Sequence, residues 1–356
     1  MNPFEADKYF LQHIIQLKPY SSARDEYKGS EGIFLDANEN PFGSATDEGK
    51  FNRYPDPLQK ELKNQIAKLK GVESNQIFLG NGSDEPIDLL IRSTCFPGKD
   101  SIVQIAPSYG MYQVCADIHH VNLVSVQLED DFLLNATKLI EAQQQSKAKL
   151  VFICSPNNPS GNAFEKSEII KVIENVSALV VVDEAYIDFC PEKSMLNELA
   201  RYPNLVVLQT FSKAWGLAAL RLGMAFAHES IISVLNKIKY PYNLNILTQN
   251  TVLKALENAP RVARYAKQLN NLKADLIVTL SAMENIKKIY HSDANFVLVK
   301  FDKAKELFDS LINKKIITRD RSKVIMCEDC LRITIGTLEE NDALIHGIND
   351  FYTSIA

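Results

Sequence analysis

The sequence predicts an α/β protein: a large domain with a mainly parallel sheet sandwiched by helices, joined to a smaller α+β domain. Three observations predict it. Short apolar runs alternate with helix-like stretches from Ile77 to Gly223 in a chain of 356 residues. The runs recur about every 20 to 30 residues, the room that a crossover between parallel strands needs. Beyond Arg261 the strand-like segments instead alternate apolar and polar residues, the pattern of a sheet with one solvated face.

In order, the runs are Ile77-Phe78-Leu79, Ile102-Val103-Gln104-Ile105, Leu123-Val124-Ser125-Val126, Leu150-Val151-Phe152-Ile153, Leu179-Val180-Val181-Val182 and Leu205-Val206-Val207-Leu208. Their continuous Val/Ile/Leu character suits strands buried on both faces. Helical periodicity follows from about Arg261 to Glu284. Then come Phe296-Val297-Leu298-Val299, Ile316-Ile317-Thr318, Leu331-Arg332-Ile333-Thr334-Ile335 and a last helix near Glu339-Tyr352. No Pro/Gly/Ser linker or repeat separates the parts. The expected division is residues 31–245 for the large domain, with 1–30 and 246–356 forming the smaller one.

A formal net charge of -5 leaves no basic stripe for nucleic acid. No apolar window is long enough to span a bilayer, and the N-terminus lacks the pattern of a signal peptide. These features predict a cytoplasmic chain in which the six cysteines are reduced thiols. Cys327 and Cys330 form one C-x-x-C, which without a second pair reads as chance spacing rather than half a zinc site.

The chemistry gathers where strands end, as expected for ligands of an open parallel sheet. Gly80-Asn81-Gly82-Ser83-Asp84-Glu85 joins the first run to a helical stretch, which makes either an anion site at a helix N-terminus or an ordinary cap by Ser83 or Asp84. Ser155-Pro156-Asn157-Asn158-Pro159-Ser160-Gly161 is a rigid turn after the fourth run. Asp183 closes the fifth, where a carboxylate needs a cationic or hydrogen-bonding partner such as a protonated pyridine. Tyr186 offers a phenol to the same ligand, or fills the core. Lys213, in Thr210-Phe211-Ser212-Lys213-Ala214-Trp215-Gly216, is framed by small and apolar residues; desolvation there lowers its pKa and frees the amine to attack a carbonyl. Arg221 adds a phosphate fork.

This series resembles the fold-type I aminotransferases, which use pyridoxal 5'-phosphate, along nearly the whole chain. Asn157-Asn158-Pro159-Ser160-Gly161 is similar to the N-P-[TS]-G turn of that family, Asp183-Glu184-Ala185-Tyr186 to D-E-x-Y, and Ser212-Lys213 with Arg221 to the S-K…R signature. The resemblance implies that Lys213 bonds the cofactor aldehyde, that Asp183 partners the pyridine nitrogen, and that Asn158 and Tyr186 bind the ring oxygen. It also implies that Tyr109 stacks on the ring, that Gly82, Ser83, Thr210, Ser212 and Arg221 cradle the phosphate, and that Asp84 lies with them at the cofactor.

Lys18-Pro19-Tyr20, Asp36-Ala37-Asn38-Glu39-Asn40-Pro41, Arg53-Tyr54-Pro55-Asp56-Pro57, Thr318-Arg319-Asp320 and Leu331-Arg332-Ile333-Thr334-Ile335-Gly336 are similar, in the same order, to motifs of the histidinol-phosphate aminotransferase family. That likeness implies histidinol phosphate and 2-oxoglutarate/glutamate as substrates, with Tyr20, Asn38, Arg319 and Arg332 on the substrate side. It further implies a homodimer with shared active sites, in which Tyr54 reaches the phosphate held by the neighbouring subunit. An aromatic amino acid aminotransferase, a threonine-phosphate decarboxylase and a non-catalytic regulator on the same scaffold remain alternatives. A nucleotide-dependent dehydrogenase lacks its glycine fingerprint here.

Overall fold

The computed structural model describes residues 5–20, 32–46 and 51–355. The strands of the large sheet are β1 (Ile77–Asn81), β2 (Ser101–Ala106), β3 (Asn122–Gln127), β4 (Leu150–Cys154), β5 (Leu179–Asp183), β6 (Leu205–Thr210) and β7 (Leu222–Ala227), in spatial order β1-β7-β6-β5-β4-β2-β3. Neighbours among β2 to β6 are parallel, whereas β7 runs antiparallel to both β1 and β6. All six expected runs are strands. The seventh escaped the sequence because Leu-Gly-Met-Ala-Phe-Ala has little β-branched character, though every residue of it is buried. Its reversal follows from its connection: residues 211–221 are too few for a crossover helix, so β7 returns beside β6.

Alternate side chains of each central strand serve opposite layers. Val151 and Ile153 of β4 pack with Leu62, Ile66, Leu139 and Val172 on one face, while Leu150, Phe152 and Cys154 pack with Ile87, Leu90 and Leu235 on the other. At the expected domain limits the structure differs. Ala6 and Phe10 join the large-sheet cluster and Lys237 Nζ donates to the Ile15 carbonyl at 2.8 Å, so the described part of residues 1–30 lies on the large domain. Helix Ile246–Leu256 also packs there, because its buried Val252 completes the core over the opposite face.

The second sheet is antiparallel, in the order β10-β11-β9-β8, formed by β8 (Ile286–Ile289), β9 (Phe296–Phe301), β10 (Arg319–Asp320) and β11 (Cys330–Thr334). Pairing begins at Arg319 and not, as expected, over Ile316-Thr318. One face, with Val297, Val299, Leu331 and Ile333, is covered by the helices Ala259–Ser281, Ala304–Asn313 and Leu338–Ile355. The opposite face was expected to be solvated and is not. Leu298 and Cys330 pack into a large-domain cluster, and Phe296 meets Tyr186 edge-on at 5.1 Å. The polar half of the alternation is real, but it faces the other domain.

Candidate active site

The carboxyl ends of β1, β4, β5 and β6 and the start of β7 open on one cleft of about 640 Å³. At one end lies the turn into helix Asp84–Thr94, where Ser83 occupies the cap position without any side-chain cap hydrogen bond. The first-turn N–H groups, which no helical carbonyl reaches, are therefore left for an anion. Gly82 takes φ +71°, and a Cβ on it would stand 2.7 Å from Arg221 Nη2. Its N–H donates to the Arg221 carbonyl at 2.8 Å. Behind it Gly223 is packed so tightly that a Cβ there would lie 2.2 Å from Ser83 N.

Arg221 is itself left-handed, with φ 53°, and that conformation brings its guanidinium back over the turn. Asp84 holds two parts of this end together. Its Oδ1 accepts from the Tyr109 hydroxyl at 3.1 Å, and its Oδ2 is 3.6 Å from Arg221 Nη2. Across the cleft Thr210 Oγ1 donates to Ser212 Oγ at 3.0 Å. Three backbone or hydroxyl donors and one guanidinium around an open space suit a phosphate ester.

Asp183 forms the floor and is 2% exposed. Burial pushes its carboxyl up to about 6, partly offset by the Tyr112 hydroxyl, which donates to Oδ2 at 2.7 Å, and by the Ala185 N–H. Sequence reasoning misses Tyr112, because a helical tyrosine carries no local signal that it meets a strand end far along the chain. Beside Asp183, Glu184 is buried too and points away, accepting from Ser194, Met195 and Gln209.

Lys213 opens onto the cleft, with its Nζ 5.3 Å from the centre of the Tyr186 ring. Burial among protein atoms lowers its pKa, and Arg332 and Arg221 lower it further against the pull of Asp183. The desolvation that the sequence expected around this amine is therefore present. Tyr186 is buried to 8% exposure without a hydrogen-bond partner for its hydroxyl among the described residues, so it is not a satisfied core tyrosine. Burial raises its pKa.

The two asparagines of the rigid turn divide the work. Asn157 is fully buried and locks the loop, donating to the Pro107 carbonyl and Ser160 Oγ. Asn158 borders the cleft and accepts from Arg332 Nη1 at 2.5 Å. Arg332 thus closes the cleft from the second sheet, with Arg319 directly opposite it in register. Neither arginine makes an ion pair among the described residues, so neither is held as half of a surface salt bridge. Arg321, overlooked in the sequence, is drawn into the same group.

A buried acid, a desolvated amine and an anion cradle on one cleft fit a phosphorylated pyridine aldehyde: the acid answers a ring N–H, the amine the aldehyde and the cradle the ester. Three expected residues lie elsewhere. Tyr54 and Asn38 line a separate exposed depression, where Tyr54 stacks on Tyr242 at 4.5 Å. Tyr20 is 74% exposed and outside the residues lining either space. Cys327 and Cys330 are free and buried, and no group of metal-binding side chains occurs among the described residues. No helix among them is long and apolar enough to cross a membrane.

The family profile for aminotransferase class I and II matches residues 26–348. The chain is 52% identical over 346 residues to a histidinol-phosphate aminotransferase from Cytophaga hutchinsonii, covering 96% of this chain and 98% of that one. It is 50% identical to another so named from Parabacteroides distasonis, over 95% of this chain and 96% of the relative. Among solved structures, histidinol-phosphate aminotransferase from Sinorhizobium meliloti in complex with pyridoxal-5'-phosphate superimposes with a TM-score of 0.80 at 23% identity, covering 97% and 98% of the two chains.

Proposed function

Because the chain belongs to the class I and class II aminotransferases, we propose that it moves the amino group of L-histidinol phosphate to 2-oxoglutarate, with pyridoxal 5'-phosphate as cofactor. The products are imidazole-acetol phosphate and L-glutamate, a step of histidine biosynthesis. One observation carries this reading: buried Asp183, the desolvated Lys213 amine and the uncapped helix start at Ser83 share a single cleft. Relatives about half identical over almost their full length carry the name of that activity.

When bound, the cofactor withdraws electrons from the substrate carbon that bears the amine. Asp183 holds the ring nitrogen protonated, since a buried carboxylate with only two donors of its own gains from a third. Asn158 and Tyr186 bind the ring oxygen, and Tyr109, fixed by Asp84, covers the ring. Ser83, Thr210, Ser212 and Arg221 hold the phosphate with the backbone N–H of Asp84 at the helix start, and Gly82 admits the close approach. With the cofactor bound, Lys213 Nζ would hold its aldehyde and would be the base placed to take the proton from the amine-bearing carbon of the substrate. Burial and the neighbouring Arg332 lower its pKa, which favours the neutral amine that this role needs.

Arg319 and Arg332 hold the anionic end of either substrate, because a guanidinium pair binds a phosphate or a carboxylate alike. The family likeness also assigns Tyr20 and Asn38 to the substrate side, although both lie outside this cleft in the structure. The proposal includes a homodimer: the exposed depression holding Tyr54 is where a second subunit receives that hydroxyl at its own cofactor phosphate. All six cysteines are free, buried thiols, which supports placing the chain in the cytoplasm.

The test is turnover by the cofactor-loaded protein. Glutamate should form briskly from 2-oxoglutarate with histidinol phosphate and slowly with phenylalanine, and threonine phosphate should release no carbon dioxide. Fast phenylalanine turnover with none of histidinol phosphate overturns the assignment. Borohydride reduction followed by peptide mass spectrometry should find the cofactor on Lys213.

A further inference from the structure

β10 and β11 place Arg319 opposite Arg332, and the Arg321 N–H donates to the Cys330 carbonyl at 2.9 Å, so the pairing continues past the end of β10. Directly opposed residues of an antiparallel pair share a face, as do alternate residues of one strand. Arg319, Arg321 and Arg332 therefore share one face. Leu298, opposite Arg332 on β9, shows which: it packs toward the large domain.

No carboxylate answers these three cations among the described residues. Arg332 donates to the neutral Asn158 amide oxygen, and its guanidinium lies 5.2 Å over the Phe296 ring. Around Arg321 burial and the other two arginines disfavour its charge, while the Cys327 thiol and the Tyr186 phenol oppose them. Arg321 Nε and Arg332 Nε are buried without a hydrogen-bond partner, the only nitrogens so left among the described residues. Every other such atom is an amide or hydroxyl oxygen.

A charge count separates the candidate ligands. A carboxylate brings one charge and two oxygens, which one opposed pair of arginines satisfies. A phosphate monoester brings close to two charges and three oxygens, leaving one oxygen and much of a charge for a third guanidinium. We propose that Arg321 is a specificity-determining residue that binds the phosphate monoester of the amino donor and contributes little to a dicarboxylate. This rests on the substrate reading above.

The experiment uses the cofactor-loaded enzyme, wild type and Arg321→Gln, with KM measured separately for histidinol phosphate and 2-oxoglutarate. Inorganic phosphate is titrated calorimetrically onto both. Loss of one charge-assisted contact should raise the histidinol phosphate KM about tenfold and weaken phosphate about tenfold, with 2-oxoglutarate changed less than about threefold. Arg321→Lys should recover part of both losses, since it keeps the charge without the fork. Equal rises in the two KM values, or unchanged phosphate affinity, overturn the proposal. If wild type does not turn over histidinol phosphate, the substrate reading fails instead, and the phosphate titration still decides the role of Arg321.

Discussion

The hydroxyl of Tyr112 donates to Asp183 Oδ2 at 2.7 Å, tying a fully buried helical ring to the one carboxylate on the floor of the cleft. The bond favours the charged carboxylate against the burial that opposes it. Tyr112→Phe should keep the fold, because the ring still stacks on Phe152 at 4.7 Å. It should raise the Asp183 pKa further, move the acid limb of the pH profile upward and lower kcat about tenfold. A profile that coincides with wild type refutes the coupling.

The cofactor-free chain should lose stability as pH rises from 5 to 7.5. Burial pushes Asp183 up to about 6 and Glu184 up to about 7, above the values near 4 of an unfolded chain. The folded state therefore binds extra protons in this window, and releasing them on the way up costs folding energy. Asp183 alone accounts for about 1.4 kcal/mol of the fall. Urea unfolding at both pH values should show Asp183→Asn with a shallower slope than wild type.

Gly223→Ala should disrupt the phosphate end without touching any reacting group. Its Cβ would sit 2.2 Å from both the Gly82 carbonyl carbon and Ser83 N, backbone atoms that cannot rotate away. Overpacking of this kind costs about 3 kcal/mol or more. A lower melting temperature together with weakened cofactor retention is expected; wild-type values of both would show that the turn can shift freely.

Sharing of sites between subunits can be read by complementation. Lys213→Ala and Tyr54→Ala homodimers should each be nearly inactive, while hybrids formed by refolding them together contain one site with both residues intact. Activity approaching about a quarter of wild type is expected of random pairing, since half the dimers are hybrids with one working site each. No recovery in verified hybrids means that Tyr54 serves its own subunit.

What the sequence discloses and what it hides follow from the range of the forces involved. Val180 and Val182 announce a buried strand because burial on both faces demands continuous apolar residues, and Asp183 stands out against that run. β7 hides because Gly223 is chosen for close approach to Gly82, not for β-propensity. Arg332 is legible as the polar member of an alternating strand, but alternation reports only that a face is polar; it does not say whether water or another domain lies beyond. The same ambiguity concealed Arg321. The placement of Tyr112 depends on a contact 71 residues away in sequence, which no local pattern encodes.

The reversed direction of β7 has a geometric consequence. If that strand ran parallel to its neighbours, Arg221 would open it at the opposite rim of the sheet, about 20 Å from Lys213 at the usual rise of a strand. Because it returns, residues 211–221 leave and rejoin the same rim, and in the proposed function both termini of one loop would grip one molecule. That loop works as a calliper: the length of chain between Lys213 and Arg221 sets how far apart an aldehyde and a phosphate must stand to be held at once, so a residue added or removed there would change the size of molecule accepted.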